Sequence, residues 1–193
     1  GLMFFNEAGK VVRFTDWFDV NGRHWIPWKR KSDGSLPDSG ETLCPYRIWI
    51  AEVMLQQTQL RVVVPYWQRW MNAFPTLLVL SRASLQEVLM LWQGLGYYSR
   101  ARRLHISSHS QIEIIGSEKV LDSNSWPKEL ETWVALPGIG RSTAGSILSS
   151  AFDISKPLLD GNVKRLVSRL IASPFPINKS IPRLWEITDL LLD

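Results

Sequence analysis

Apolar side chains recur three and four positions apart along most of this 193-residue chain, and this spacing predicts amphipathic helices. No segment of useful length alternates apolar and polar residues, so we predict an all-α fold. The pattern places helices over residues 8–20, 46–57, 60–73, 84–92, 130–136, 141–152, 160–171 and 181–193, with a further basic helix after residue 99. Turn-forming residues without periodicity predict an exposed loop over 29–44.

The predicted helix 46–57 is apolar nearly all round, which is typical of a buried helix. Its polar exceptions, Glu52, Gln56 and Gln59, are spaced as one narrow stripe. Burial disfavours the charged carboxylate and raises its pKa, so Glu52 is a candidate general acid. The alternative is a Glu that pairs with an Arg where two helices pack.

A glycine hairpin separates the predicted helices 130–136 and 141–152. Pro137 ends the first helix, and Gly138 and Gly140 allow positive φ and a close approach of the backbone to a ligand. The first N–H groups of the second helix have no partner within that helix and form an anion site. Basic residues near this hairpin favour phosphate contact: Arg141, Lys164 and Arg165. A Gly-x-Gly sequence also occurs in ordinary turns between helices.

Asp160 stands where the next helix begins, so it is either only an N-cap or a cap that also takes part in chemistry. A capping carboxylate is held rigidly, and a rigid anion beside a sugar can stabilise an oxocarbenium-like transition state. One protonated carboxyl group and one ionised carboxylate is the pair used to cleave glycosidic bonds. Glu52 and Asp160 are therefore the candidate catalytic residues.

Composition adds modest constraints. Hydrophobic residues make up 45% and charged residues 21%, as in soluble globular proteins, and the net charge of +4 favours a polyanionic partner. Cys44 is the sole cysteine, and the three histidines lack metal-site spacing, so we predict no metal site.

We see neither a targeting signal nor a membrane-spanning run, which predicts a cytoplasmic protein. Both chain ends predict a fragment.

A second glycine turn, at 94–99, carries two tyrosines and leads into the basic helix. Such a turn is either packed into the core or inserted into a nucleic-acid duplex.

Four blocks of sequence then carry a resemblance to a known family: PYRIWIAEVMLQQTQ (45–59), LWQGLGYYSRARRLH (91–105), LPGIGRSTAG (136–145) and LDGNVKR (159–165). Together they resemble the adenine DNA glycosylase (MutY) branch of the helix-hairpin-helix DNA glycosylases. The resemblance implies two helical lobes with the active-site cleft between them. Residues 45–152 would form a six-helix lobe that contains the hairpin, and residues 1–44 with 153–193 an incomplete second lobe.

The resemblance also implies a reaction: a monofunctional base-excision-repair enzyme hydrolyses the N-glycosidic bond of adenine mispaired with 8-oxoguanine or guanine. Glu52 would protonate the adenine and Asp160 would stabilise the sugar cation, with Asn162 and Ser142 in support. The base pocket and the duplex insertion are assigned to Trp28, Gln57, Leu95 and Tyr98. The DNA backbone contacts are assigned to Gly138, Gly140, Arg141 and Lys164.

Ser142 separates two branches of this superfamily. Strand-cutting relatives that resemble endonuclease III carry a Lys here, whose amine attacks the sugar and forms a Schiff base. Serine has no amine, so we expect base excision with little or no strand cleavage.

The chain departs from the family pattern in its C-terminal part. The family carries a four-cysteine [4Fe–4S] motif and then a domain that recognises 8-oxoguanine, whereas this chain has only Cys44. We therefore expect no cofactor in this chain and a cluster in a full-length protein. The expected partner is double-stranded DNA with A:8-oxoG or A:G mispairs, bound by a monomer that has no membrane association and is nucleoid-associated, as in bacteria.

Two alternatives remain open at this point. The chain is either a thymine or uracil mismatch glycosylase of the same fold, or a catalytically inactive DNA-binding fragment.

Overall fold

A computed structural model describes residues 3–5 and 11–192, and its helices confirm the predicted all-α fold. The helices of these residues are α1 (Phe14–Asn21), α2 (Pro45–Leu55), α3 (Leu60–Ala73), α4 (Leu77–Arg82), α5 (Leu85–Trp92), α6 (Ser99–Ile115), α7 (Leu130–Val134), α8 (Arg141–Phe152), α9 (Gly161–Leu170) and α10 (Ile181–Leu190). Two short strands, β1 (Met3–Phe5) and β2 (Val11–Arg13), pair antiparallel with Phe4 opposite Val12.

The strand β2 corrects the helix predicted over 8–20, since the helix begins only at Phe14. A strand of three residues is too short for alternation to be recognised, and Val11 and Val12 are β-branched residues that favour a strand. Residues 6–10 lie outside the described residues. Helix α4 was not predicted, although Thr76 caps it by accepting a hydrogen bond from Val79 N.

Helix α2 lies at the centre of the larger hydrophobic core and packs against α3, α6 and α8. Ile48, Trp49 and Ile50 are fully buried, which confirms the burial predicted from an apolar surface all round the helix. Tryptophans fill much of the remaining space in this core. The ring centroids of Trp49 and Trp133, for example, lie 5.9 Å apart in an edge-to-face contact. Such pairs add to the stabilisation that burial provides.

A smaller core joins α9 to α10 through Leu159, Val167 and Leu184. In contrast, Trp28 and Leu43 belong to the larger core although they precede α2. The division into lobes at 45–152 stays a prediction.

Among the described residues, no helix is long and apolar enough to cross a membrane.

Candidate active site

A cavity of about 460 Å³ lies between the C-terminal half of α2, the start of α8 and the start of α9. This volume is in the range of small-molecule sites. The cavity brings together four predicted site residues that are widely separated in the sequence: Glu52, Ser142, Asp160 and Asn162. Further lining residues are Arg23, Leu55, Gln56, Thr58, Gln59, Leu60, Thr143, Ser146 and Leu158.

Glu52 extends from buried helix α2 into this cavity, and burial raises the pKa of its carboxyl group. A hydrogen bond with Ser146 and the charge of Lys29 lower the pKa, whereas the charge of Asp160 raises it further. Burial is the largest of these effects, so the carboxyl group keeps its proton to a higher pH than an exposed Glu. Within the described part of the chain, no Arg or Lys lies within 4.0 Å of this carboxylate. The alternative of an ion-paired Glu52 therefore lacks a partner there.

Asp160 is the N-cap of α9 and lies exposed at the edge of the cavity. Its Oδ1 accepts hydrogen bonds from the backbone N–H groups of Asn162 at 2.9 Å and Val163 at 2.8 Å. The helix therefore holds the carboxylate rigidly through one oxygen. Capping and a role in chemistry are compatible in this geometry.

Ser142 and Asn162 support this arrangement from two sides. The hydroxyl oxygen of Ser142 accepts a hydrogen bond from Leu159 N at 3.2 Å, one residue before Asp160. The Oδ1 atom of Asn162 accepts one from Arg165 Nη2 at 2.5 Å. The first contact connects the segment before α9 to α8, so the position of Asp160 is defined by more than its own cap. The second contact lies within the first turns of α9 and orients the Asn162 side chain.

Sequence reasoning did not assign roles to Thr143 and Ser146, which line the cavity beside Ser142. A signal for them exists, because residues 142, 143 and 146 form a polar face on the otherwise buried helix α8. Gln56 did appear in the polar stripe of α2. Its Nε2 donates to Gly138 O at 3.1 Å and to Thr143 Oγ1 at 3.3 Å, so it connects α2 to the hairpin.

The glycine hairpin connects α7 to α8 as predicted, and its two glycines differ in backbone conformation. Gly138 has a φ of 83°, whereas Gly140 has a φ of −91° and is the N-cap of α8. Only Gly138 therefore needs the conformational freedom of glycine. Buried Ile139, which is 5% exposed, anchors the turn between them.

The two basic residues predicted to contact the DNA backbone, Arg141 and Lys164, have different surroundings in the structure. The guanidinium of Arg141 pairs with Asp189 at 3.2 Å and lies 4.2 Å from the ring centroid of Trp185, so helix α10 holds it. Lys164 is partly buried on α9. A phosphate contact by Arg141 would have to replace or share its bond to Asp189.

Gln57 and Tyr98, which are assigned to duplex insertion, lie exposed in two turns. In contrast, Trp28 and Leu95 are only 2% and 5% exposed, and neither lines the cavity. Hydrophobic burial places both in the core, and their assignment to the base pocket and duplex insertion stays a prediction. Trp28 packs there with its ring centroid 5.4 Å from that of Trp67.

No group of three or more His, Cys, Asp or Glu residues within the described ranges is arranged to hold a metal ion. An iron–sulfur cluster needs four cysteine thiolates as ligands. The single thiol of Cys44 does not meet this requirement, so the residues of this chain do not fit such a cluster.

Comparisons with known proteins agree with this geometry. Residues 50–182 match the family model described as HhH-GPD superfamily base excision DNA repair protein. The chain is 36% identical to the adenine DNA glycosylase of Buchnera aphidicola subsp. Schizaphis graminum, over 91% of this chain and 46% of that protein. It is 40% identical to the adenine DNA glycosylase of Rattus norvegicus, over 98% of this chain and 36% of that protein. The chain thus spans less than half the length of these relatives.

A solved structure of a thermostable thymine-DNA glycosylase has a similar fold. Its TM-score is 0.69 at 19% sequence identity, and the match covers 91% of this chain and 73% of that one. At this level of identity the match shows the shared fold alone.

Proposed function

This chain belongs to the HhH-GPD superfamily of base excision DNA repair proteins, and we propose that it hydrolyses the N-glycosidic bond of adenine mispaired with 8-oxoguanine or guanine in double-stranded DNA. One observation carries the proposal: Glu52, whose pKa is raised, and Asp160, a rigid cap, line the same cavity. The name of the two relatives, adenine DNA glycosylase, supports the choice of base.

In the proposed reaction, the Glu52 carboxyl group donates its proton to a ring nitrogen of the flipped adenine. The bond between the sugar C1′ and the base nitrogen then breaks, and its electron pair leaves with the base. Positive charge develops on the sugar, and the Asp160 carboxylate stabilises it or attacks it transiently. Water adds to C1′ and, where Asp160 has attacked, displaces its carboxylate from C1′; the proton that the water loses returns to Glu52 or passes to solvent.

The product is an abasic site with an intact strand, because the cavity offers a hydroxyl group at Ser142 and no amine there. The backbone of the hairpin at Gly138 and the free N–H groups at the start of α8 are suited to hold the DNA phosphates. Asn162 supports the site from the first turn of α9, where Arg165 orients its side-chain amide.

The direct test is single-turnover excision of adenine from a duplex with adenine opposite 8-oxoguanine. We expect Glu52→Gln to lower the rate by about a hundredfold or more, since general acid catalysis contributes about that much, and Asp160→Asn to lower it by a similar factor because it removes the charge that stabilises the sugar cation. Two matched controls should keep the rate: Glu113→Gln on the exposed side of α6, and Asp122→Asn, another capping aspartate. Full activity in both site variants would refute the mechanism.

Two further measurements separate the alternatives. Faster excision of thymine than of adenine opposite guanine would favour a thymine mismatch glycosylase. DNA binding that weakens steeply with salt, without excision of any base, would favour an inactive DNA-binding fragment. Borohydride should trap no covalent DNA adduct, and a strong adduct would contradict the monofunctional mechanism.

A further inference from the structure

Arg100, in the first turn of α6, is a buried cation that is only 6% exposed. Its guanidinium donates to oxygen atoms of backbone carbonyls and of one hydroxyl group. Within the described residues it has no carboxylate within ion-pair distance. A buried charge needs such partners, because their absence would leave its desolvation uncompensated.

The Nη1 atom of Arg100 donates hydrogen bonds to backbone carbonyl groups at the C-terminal end of α2. It donates to Val53 O at 3.2 Å, to Met54 O at 2.7 Å and also to Gln56 O. The last carbonyls of a helix have no partner inside it and carry the negative end of the helix dipole. The positive guanidinium therefore caps α2 just before the 56–58 turn.

The Nη2 atom of the same guanidinium donates hydrogen bonds to both neighbouring turns, 56–58 and 94–98. It donates to Thr58 Oγ1 at 3.0 Å, to Leu95 O at 3.3 Å and to Gly96 O at 3.2 Å. One planar group therefore joins the 56–58 turn to the 94–98 turn. The rings of Trp92 and Tyr97 lie 5.3 Å and 5.4 Å from the guanidinium carbon, in range for cation–π attraction.

Each turn carries a non-glycine residue in the left-handed region, with a φ of 60° at Gln57 and 47° at Tyr97. Such conformations persist only where the surroundings hold them. Gln57 is exposed at the first of these held positions, and exposed Tyr98 directly follows the second, as the N-cap residue of α6. Gln56, through its bond to Gly138 O, joins the phosphate-binding hairpin to the same assembly.

We propose that Arg100 is a positioning residue that holds the 56–58 and 94–98 turns at a fixed separation, so that Gln57 and Tyr98 enter a duplex together as one wedge. The inference rests on the proposed function only in that the ligand is duplex DNA. Lysine cannot replace Arg100, because one ammonium nitrogen cannot occupy the places of both Nη1 and Nη2.

The test compares Arg100→Lys with the wild-type chain on two substrates, an adenine paired in a duplex opposite 8-oxoguanine and an adenine left unpaired in a small internal loop. Unpaired adenine needs no opening of the duplex. We expect the variant to excise paired adenine about tenfold or more slowly, and unpaired adenine within about twofold of wild type. Arg82→Lys, at an exposed position on α4, is the matched control and should leave both rates unchanged.

A second readout does not depend on excision. A 2-aminopurine base placed beside the target adenine becomes more fluorescent when a protein unstacks the duplex. Wild type should produce this increase on binding, and Arg100→Lys should bind without it. If the wild-type chain excised no adenine at all, the proposed function would fail while the fluorescence measurement would still decide the role of Arg100.

Thr58→Val offers a milder perturbation in case Arg100→Lys unfolds, since it removes one acceptor of Nη2. Thr58 also lines the cavity, so we expect this variant to slow excision of paired adenine more than that of unpaired adenine, and Thr58→Ser, which keeps the hydroxyl group, to restore both rates. Equal slowing on paired and unpaired adenine, or an unchanged fluorescence increase in Arg100→Lys, would overturn the proposal.

Discussion

Gly145 is buried on α8, where the segment that leads to Asp160 crosses this helix. A Cβ atom at Gly145 would lie 2.8 Å from the carbonyl oxygen of Pro157 and 3.5 Å from the Cβ of Lys156. Ordinary contact begins at 3.4 Å, so Gly145→Ala requires a separation of about 0.6 Å, the difference between 3.4 and 2.8 Å.

The segment at 153–160 is expected to move, because it is neither helix nor strand. Helix α8 is fixed on both sides of Gly145, since Ala144, Ile147 and Leu148 are fully buried. A misplacement of about 1 Å can cost about a hundredfold in rate. A shift of roughly half that size therefore predicts a loss of about tenfold in excision, or about 1.4 kcal/mol in activation free energy.

Stability should change much less than activity. Alanine is better than glycine inside a helix by about 1 kcal/mol, which offsets part of the cost of separating the segments. We expect the free energy of unfolding to change by less than about 1 kcal/mol. The assay is single-turnover excision from the adenine:8-oxoguanine duplex, with urea denaturation of the same protein. Ser150→Ala on the same helix is the matched control, because it raises helix propensity without adding an atom.

An unchanged excision rate in Gly145→Ala would refute this reasoning, since it would show that the contact with Pro157 does not position Asp160. A large loss of stability that accompanies the loss of activity would attribute the effect to unfolding.

Two further predictions concern buried polar groups. Burial raises the pKa of Glu52 above its ordinary value of 4.5, so excision should slow as pH rises through that raised pKa and the acid loses its proton. The free energy of unfolding should fall over the same pH interval, because the folded state binds this proton more tightly than the unfolded chain does. Urea titrations at several pH values would measure this fall, and Glu52→Gln should abolish it. Tyr46→Phe should cost about 1–3 kcal/mol of stability, since the buried hydroxyl donates to Phe74 O at 2.7 Å and accepts from Trp70 Nε1 at 3.2 Å. Urea denaturation would check this, and an equal loss in Tyr66→Phe, whose hydroxyl bonds to the exposed carbonyl of Gln93, would contradict it.

Much of the candidate site could be predicted from local patterns. Glu52 is recognisable because it is a carboxylate on a helix that is apolar on every side. Asp160 is recognisable because aspartate is a strong N-cap, and the structure confirms its two capping bonds. Ser84 and Glu87 form a capping box at the start of α5, and their spacing of three residues is visible in the sequence.

Other parts of the site could not be predicted, because they depend on which surfaces meet. Trp28 and Leu95 are apolar residues within motifs that resemble a glycosylase, and only the packing of the core shows that they are buried. Arg141 stands at the start of α8 like a phosphate contact, but Asp189 from a helix much later in the chain pairs with it. Charge and motif position do not reveal such a partner.

By itself, the sequence determined where most of the helices form and which residue types can carry the chemistry, since helix periodicity, capping and turn formation depend on residues within a few positions of one another. The tertiary structure alone decided that Glu52 and Asp160 line one cavity and that Arg100 joins two turns. Those relations depend on contacts between distant segments. Burial, which raises the pKa of Glu52, and the hydrogen bonds that hold Arg100 exist only once these segments pack together.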